Sequence, residues 1–233
     1  MKLDGIKLTW LGHATFKIDT PGGQTLLIDP WVMGNPKCPD REKDLTKVDV
    51  MLCTHGHGDH IGDAVEIAKK LNPKIVAIPE LLTWLKSKGA KQILPMNKGG
   101  TQTVGDIKVT MVDARHSSGI QDGDATVYGG EPCGYVIEFE NSLKIYHAGD
   151  TCVFGDMQII RDIYSPDIAL LPIGDHYTMG PREAAYACNL LKPKTVIPMH
   201  FGTFPQLTGT PAELKKLAPH VDVMEMKPGQ TIT

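Results

Sequence analysis

LCTHGHGDHIG, residues 52–62, sets three histidines and an aspartate within six positions, His55 to His60, with glycines between them. Imidazoles at that density are poor core material, and glycine at alternate positions disfavours a helix. The run that leads into it, VDVMLCT (48–54), is almost continuously apolar, as a strand buried on both faces is. Behind it, GDAVEIAKKLN (62–72) spaces Ala64, Ile67, Ala68 and Leu71 as an amphipathic helix does. The motif therefore leaves the end of a buried strand and runs into a helix, where α/β proteins present their chemistry. Gly56 and Gly58 allow a tight turn there that aims several side chains at one point.

The same plan extends outward in both directions. TFKIDTPGGQTLLID (15–29) reads as a hairpin with a Gly-Gly turn, and KIVAIP (74–79) as the strand after the helix. The second half repeats the order. YVIEFENSLKIYHAGD (135–150) is a hairpin ending in Asp150, as the earlier one ends in Asp29. PDIALLPIGDH (166–176) matches VDVMLCTHGHGDH, and LKPKTVIPMH (191–200) matches LNPKIVAIPE (71–80). Such spacing implies an internal duplication. Two similar sheets packed face to face with helices outside give an α/β fold, a four-layer α-β-β-α sandwich. The expectation is a single domain over residues 1–233, made of two related halves at about 1–120 and 121–233.

Six residues do not complete two coordination spheres, so ligands from elsewhere are needed. His116 in DARHSS, Asp150 in HAGDT and His200 in PMHFG each follow a strand-like run and reach the same edge. Neutral imidazole and carboxylate suit zinc, manganese or iron, with zinc the first choice for this ligand set.

THGHGDH resembles the T-H-x-H-x-D-H signature of the metallo-β-lactamase superfamily of hydrolases. WLGHATF, LLIDP, HAGDT and VIPMHFG extend the resemblance along the chain. They are most similar to the branch that holds ascorbate-6-phosphate lactonase and many metal-dependent hydrolases. The resemblance implies one metal on His55, His57 and His116, a second on Asp59, His60 and His200, and Asp150 bridging the two. It also implies the α-β-β-α sandwich. Two divalent ions sharing a hydroxide cleave an ester-like bond without a protein nucleophile. Di-iron redox relatives of the fold show H-x-E-x-D, whereas His57 stands at that glutamate's place here.

The remaining polar residues near the strand ends carry narrower expectations. Asp29 is expected to accept an N–H from a ligand histidine; His13 is expected to line the pocket or cap its turn. Catalytic work is assigned to Asp59, inside the motif, and to His176, which the repeat sets opposite His60, with the Thr178 hydroxyl beside it. His176 is expected to donate a proton to the leaving oxygen or to hold an anionic group. His147 reads as a core histidine and Cys152 as a buried bystander. Residues 33–45, MGNPKCPDREKDL, read either as a flap over the site or as an inert surface loop.

Composition narrows the function further. Net charge is −3, and no long Lys/Arg cluster offers a nucleic-acid footing. No apolar run approaches the roughly 20 residues that span a bilayer. MKLDGIKLTW lacks a signal-like apolar core, and five scattered cysteines read as reduced thiols, so a cytoplasmic location is expected. The leading expectation is a hydrolase, lactonase or phosphodiesterase in type, acting on a small anionic or cyclic substrate. Its rivals are an RNA 3′-end phosphodiesterase, a β-lactamase-like amide hydrolase and a non-catalytic metal-binding module. A homo-oligomer is compatible with all of them.

Overall fold

In TFKID the alternation of the sequence becomes the two faces of a strand: Phe16 and Ile18 are fully buried, while Lys17 and Asp19 are half-buried. The computed structural model describes residues 3–233. Its first six strands are β1 (Lys7–Gly12), β2 (Thr15–Asp19), β3 (Thr25–Ile28), β4 (Val50–Leu52), β5 (Lys74–Ala77) and β6 (Ile93–Pro95). Then come β7 (Thr101–Val104), β8 (Ile107–Asp113), β9 (Gly119–Asp122), β10 (Ala125–Tyr128), β11 (Cys133–Glu138) and β12 (Lys144–His147). β13 (Ile168–Pro172), β14 (Thr195–Met199), β15 (Asp222–Val223) and β16 (Thr231–Ile232) complete the set. The helices are α1 (Asp40–Lys43), α2 (Gly58–Ile61), α3 (Ala64–Leu71), α4 (Pro79–Ser87), α5 (Met157–Tyr164), α6 (Pro181–Leu191) and α7 (Pro211–Leu217).

Two mixed sheets of seven strands form, ordered β16-β1-β2-β3-β4-β5-β6 and β15-β14-β13-β12-β11-β8-β7. Read from β16 and from β7 respectively, each runs through three antiparallel pairings and then three parallel ones. The second sheet already begins at Thr101, ahead of the expected half boundary near 120, and β16 returns to the first sheet. The β9–β10 ribbon stands apart from both sheets.

The period of two decides which layer each side chain joins. On β13, Ile168 and Leu170 enter the core between the sheets, while Ala169 and Leu171 face the outer core. That outer core contains Met157 and Ile160 of α5, Ala184 and Cys188 of α6, and Leu214 of α7. On the other side, α3 and α4 bury Ala64, Ile67, Ala68, Leu81, Leu82 and Leu85. The result is the four-layer α-β-β-α sandwich. No described helix is long and apolar enough to cross a membrane.

The directions of these strands place the chemistry. β1, β3, β4, β8, β12, β13 and β14 all point toward one edge. Beyond their ends lie His13, Asp29, His55, His116, Asp150, Tyr177 and His200 in turn.

Candidate metal centre

Asp29 latches the histidine motif to the sheet. It follows β3 in a left-handed conformation (φ +49°), which is uncommon for a residue with a β-carbon. Its Oδ1 accepts the Thr54 backbone N–H at 2.8 Å, and its Oδ2 accepts the Thr54 hydroxyl at 2.8 Å and His60 Nδ1–H at 2.7 Å. Because the Thr54 hydroxyl gives its only proton to Asp29, it accepts from His55 Nδ1–H, 2.9 Å away. One carboxylate thereby fixes the Nδ1–H of two histidines and turns both Nε2 atoms inward. Gly56 has no room for a side chain, since a β-carbon there would lie 2.6 Å from Ile120 Cγ1. The single turn of α2 then swings Asp59 and His60 back toward the strand end.

Three groups of ligand atoms converge. His55, His57 and His116 form one, His55, His60 and Asp150 a second, and His13, Asp59, His60 and His200 a third, with the atoms of each group within 4.8 Å of one another. His55 Nε2 and His57 Nδ1 are 3.0 Å apart, and the far nitrogen of His57 meets Ser117 Oγ at 3.2 Å. Asp150 Oδ2 lies 3.0 Å from His200 Nε2, 3.2 Å from His60 Nε2, 3.6 Å from His116 Nε2 and 3.9 Å from His55 Nε2. One carboxylate oxygen thus faces nitrogens drawn from all three groups.

The donor set fits a pair of cations. His60 Nε2, Asp150 Oδ1 and both ring nitrogens of His200 are buried without a hydrogen-bond partner. Leaving such groups unsatisfied costs about 1–3 kcal/mol each. A cation held among them satisfies those aimed at the shared oxygen.

His13 joins the centre through Asp59. Its Nε2–H donates to Asp59 Oδ2 at 3.1 Å, since a carboxylate only accepts, and its Nδ1 takes the Thr203 hydroxyl at 3.0 Å. The His13 ring also lies 3.9 Å from that of His200. His147 is a satisfied core histidine: its Nε2 donates to the Ala14 carbonyl at 2.9 Å, and Gly149 N–H donates to its Nδ1 at 3.1 Å. It pins the β1–β2 turn to the loop that carries Asp150.

Charge is distributed as metal binding requires. Burial drives His55 well below the ordinary imidazole pKa and lowers His57 and His116 as well. All three are therefore neutral at pH 7, the state in which an imidazole can take a metal. Burial also pushes His13 down to about 4, against the hydrogen bond that it donates to Asp59. At His60 burial pulls the same way, but Asp150 and Asp29 on either side outweigh it and raise the pKa well above normal. At Asp150 burial favours the neutral acid, yet His200 and His60 overcome it and hold the carboxyl well below its usual range. A proton on His60 carries the positive charge that a metal ion would bring, and metal uptake displaces it.

A pH dependence of the metal-free protein follows. Between about pH 6.5 and 4 the unfolded chain protonates His13 and the folded protein does not, so stability falls as pH falls through that window. His13 alone contributes about 3 kcal/mol to this loss. His55, His57 and His116 act in the same direction, while the contribution of His60 is already complete below pH 6.5. Urea denaturation of the chelator-treated protein should show a falling midpoint from pH 7 to pH 4; a constant midpoint would contradict this arrangement.

Beside these groups opens a cavity of about 610 Å³, lined by His57, Asp59, His116, Ser117, Asp150, Tyr177, His200, Phe204 and Gln206. His176 is not on that wall. It is exposed, with φ +60° and its ring 4.4 Å from that of Tyr177, so Tyr177 takes the position expected for it. The cause is local. After β4 the chain turns into α2, whereas after β13 it makes two successive left-handed residues, Asp175 and His176. Thr178 is half-buried, with its hydroxyl 3.4 Å from the Met179 carbonyl. Cys152 is exposed, not buried, and belongs to none of the ligand groups. Residues 33–45 do not line the cavity; Asn35 ties them to the Gly12 carbonyl, and Arg41 to the Gly229 carbonyl.

Sequence reasoning missed Thr54, Ser117, Thr203 and the aromatic wall. Thr54 was visible as the first letter of THGHGDH, and Ser117 as the neighbour of His116. Nothing in the periodicity marks Tyr177 or Phe204.

Comparison with known proteins agrees with this geometry. Residues 24–201 match the family described as "Beta-lactamase superfamily domain". A UPF0173 metal-dependent hydrolase of Koribacter versatilis is 66% identical over 231 residues, covering 99% of each chain. One from Rubrobacter xylanophilus is 48% identical, covering 99% of this chain and 97% of its own. Among solved structures, Igni18, a metallo hydrolase from Ignicoccus hospitalis, superposes with a TM-score of 0.86 at 38% identity and 97% coverage of both chains.

Proposed function

Since the chain belongs to the metallo-β-lactamase superfamily and is a metal-dependent hydrolase, we propose that it works with two divalent ions and cleaves an ester-like bond in a small molecule. The observation that carries this reading is the position of Asp150 Oδ2, 3.0–3.9 Å from imidazole nitrogens of both histidine sets. His55, His57 and His116 would hold one ion, Asp59, His60 and His200 the other, and Asp150 would serve both. Zinc suits these ligands first, with manganese or iron next. Ions held there would supply Lewis-acid chemistry, activating water near neutral pH and polarising the bond to be broken.

The protein's own residues do the rest. Asp29 and Thr54 orient His60 and His55, Ser117 orients His57, and His13 holds Asp59 by Oδ2. Lactones and phosphodiesters are the bond classes to try first. Nucleic acid is disfavoured as a substrate, because among the described residues no lysine or arginine lines the cavity.

The test is a panel of lactones, phosphodiesters, thioesters and β-lactams against zinc-, manganese- and iron-loaded protein. Turnover of a lactone or phosphodiester, abolished by chelation and restored by metal, is the expected result. Its rate should rise with pH around an apparent pKa of about 7. No turnover of any bond class by protein that carries both ions would overturn the reading.

A further inference from the structure

We infer that Tyr177 and Phe204 form an aromatic subsite, and that the site takes an uncharged substrate with an aryl group beside the bond to be cleaved. This rests on the hydrolytic reading and adds to it the substrate class. Three independent observations carry it.

The first is the charge of the wall. Apart from the ligand residues it consists of Ser117, Tyr177, Phe204 and Gln206, none of them charged. Arg115, next to His116 in sequence, is engaged elsewhere. Its guanidinium is 3.8 Å from Asp113, 3.7 Å from Asp156 and 5.2 Å from the centre of the Phe154 ring. No cationic side chain on the wall is placed to hold an anionic group away from the ions themselves, so beyond the bond to be cleaved the wall suits an uncharged group.

The second is the backbone beneath Tyr177. Asp175 and His176 both stand in the left-handed region, at φ +67° and +60°. Two consecutive non-glycine residues there are uncommon, and such conformations persist where the surroundings fix them. The Asp175 carboxylate accepts His176 N–H at 2.7 Å, and the Asp175 carbonyl accepts Tyr177 N–H at 2.6 Å. The turn is also tied to the metal loop: Asp175 N–H donates to Met179 O, and Met179 N–H donates to the carbonyl of Thr151, the residue after Asp150. This strained turn holds the Tyr177 side chain, 55% exposed, at the wall of the cavity.

The third is the support behind Phe204. Its ring stacks on Trp31 at 6.0 Å and meets the ring of His13 edge-on at 5.7 Å. Because His13 is bonded to Asp59, the position of Phe204 is set relative to the metal ligands. A cavity of this size accepts a ligand of roughly ten to twenty heavy atoms, and rings on its wall favour an aromatic group.

The experiment uses metal-loaded protein with 4-nitrophenyl acetate, ethyl acetate and bis(4-nitrophenyl) phosphate, in the wild type, Tyr177→Ala and Tyr177→Phe. Tyr177→Ala should raise KM for the neutral aryl ester about 10-fold with kcat nearly unchanged, and leave ethyl acetate unaffected. Tyr177→Phe should behave like the wild type, because the ring is what is used. An unchanged KM in Tyr177→Ala, a Tyr177→Phe variant as impaired as the alanine, or a preference for the anionic diester would each overturn the inference. Binding of acetophenone, an unreactive neutral aryl ketone, is titrated by saturation-transfer NMR in parallel. If neither these esters nor any bond of the hydrolase panel turns over but Tyr177→Ala weakens acetophenone about 10-fold, the subsite stands and the hydrolytic reading fails. If esters turn over while acetophenone binds both proteins equally, the hydrolytic reading stands and the subsite fails.

Discussion

Asp150→Ala should cost the protein both of its ions, because one oxygen of that side chain faces His200, His60, His116 and His55 together. Loss of a partner that only orients a ligand weakens metal binding about 10- to 100-fold. On the two-ion reading Asp150 serves both sets directly, so affinity should fall by about 1000-fold at each site, and kcat/KM by at least as much. His200→Ala removes a nitrogen from one set only and should leave the ion on His55, His57 and His116 in place. Metal content after dialysis, measured beside kcat/KM, separates the two variants. An Asp150→Ala protein that kept both ions would show that the carboxylate is not shared.

Removal of metal should have a comparably large effect on stability. Buried groups now unsatisfied, His60 Nε2, His200 Nε2 and Asp150 Oδ1, regain partners when ions are bound. An ion present at 1000 times its Kd stabilises the fold by about 4 kcal/mol, and two ions by about 8 kcal/mol. For a chain of this length each kcal/mol moves Tm by about 2–4 °C, so chelation should lower Tm by about 15–30 °C. Adding back zinc should restore it. A Tm that chelation leaves unchanged would mean that the centre is preformed and gains nothing from metal.

The legible parts of this molecule are those in which side-chain type and strand position carry the information. The motif at His55, His57, Asp59 and His60 is local and rich in ligands, and His116, Asp150 and His200 each follow a strand that runs toward the same edge. Asp29 could be read from the strand end too, and it does accept the N–H of His60. Other features depend on geometry that no period encodes. The turn after β13 is the clearest: a pair of left-handed residues sends Tyr177 to the wall and leaves His176 exposed, although the repeat aligns His176 with His60. The change of sheet near Thr101 is hidden because nothing in the residues of β7 and β8 says which sheet they join. The exposure of Cys152 was obscured by its apolar character, which makes burial the usual outcome.

The central claim is that a single carboxylate joins two ligand sets into a two-ion centre. Elemental analysis of the purified protein across a zinc titration tests it most directly, with free metal removed before each reading. The account predicts saturation at two ions per chain for the wild type. Saturation at one ion or fewer would contradict it.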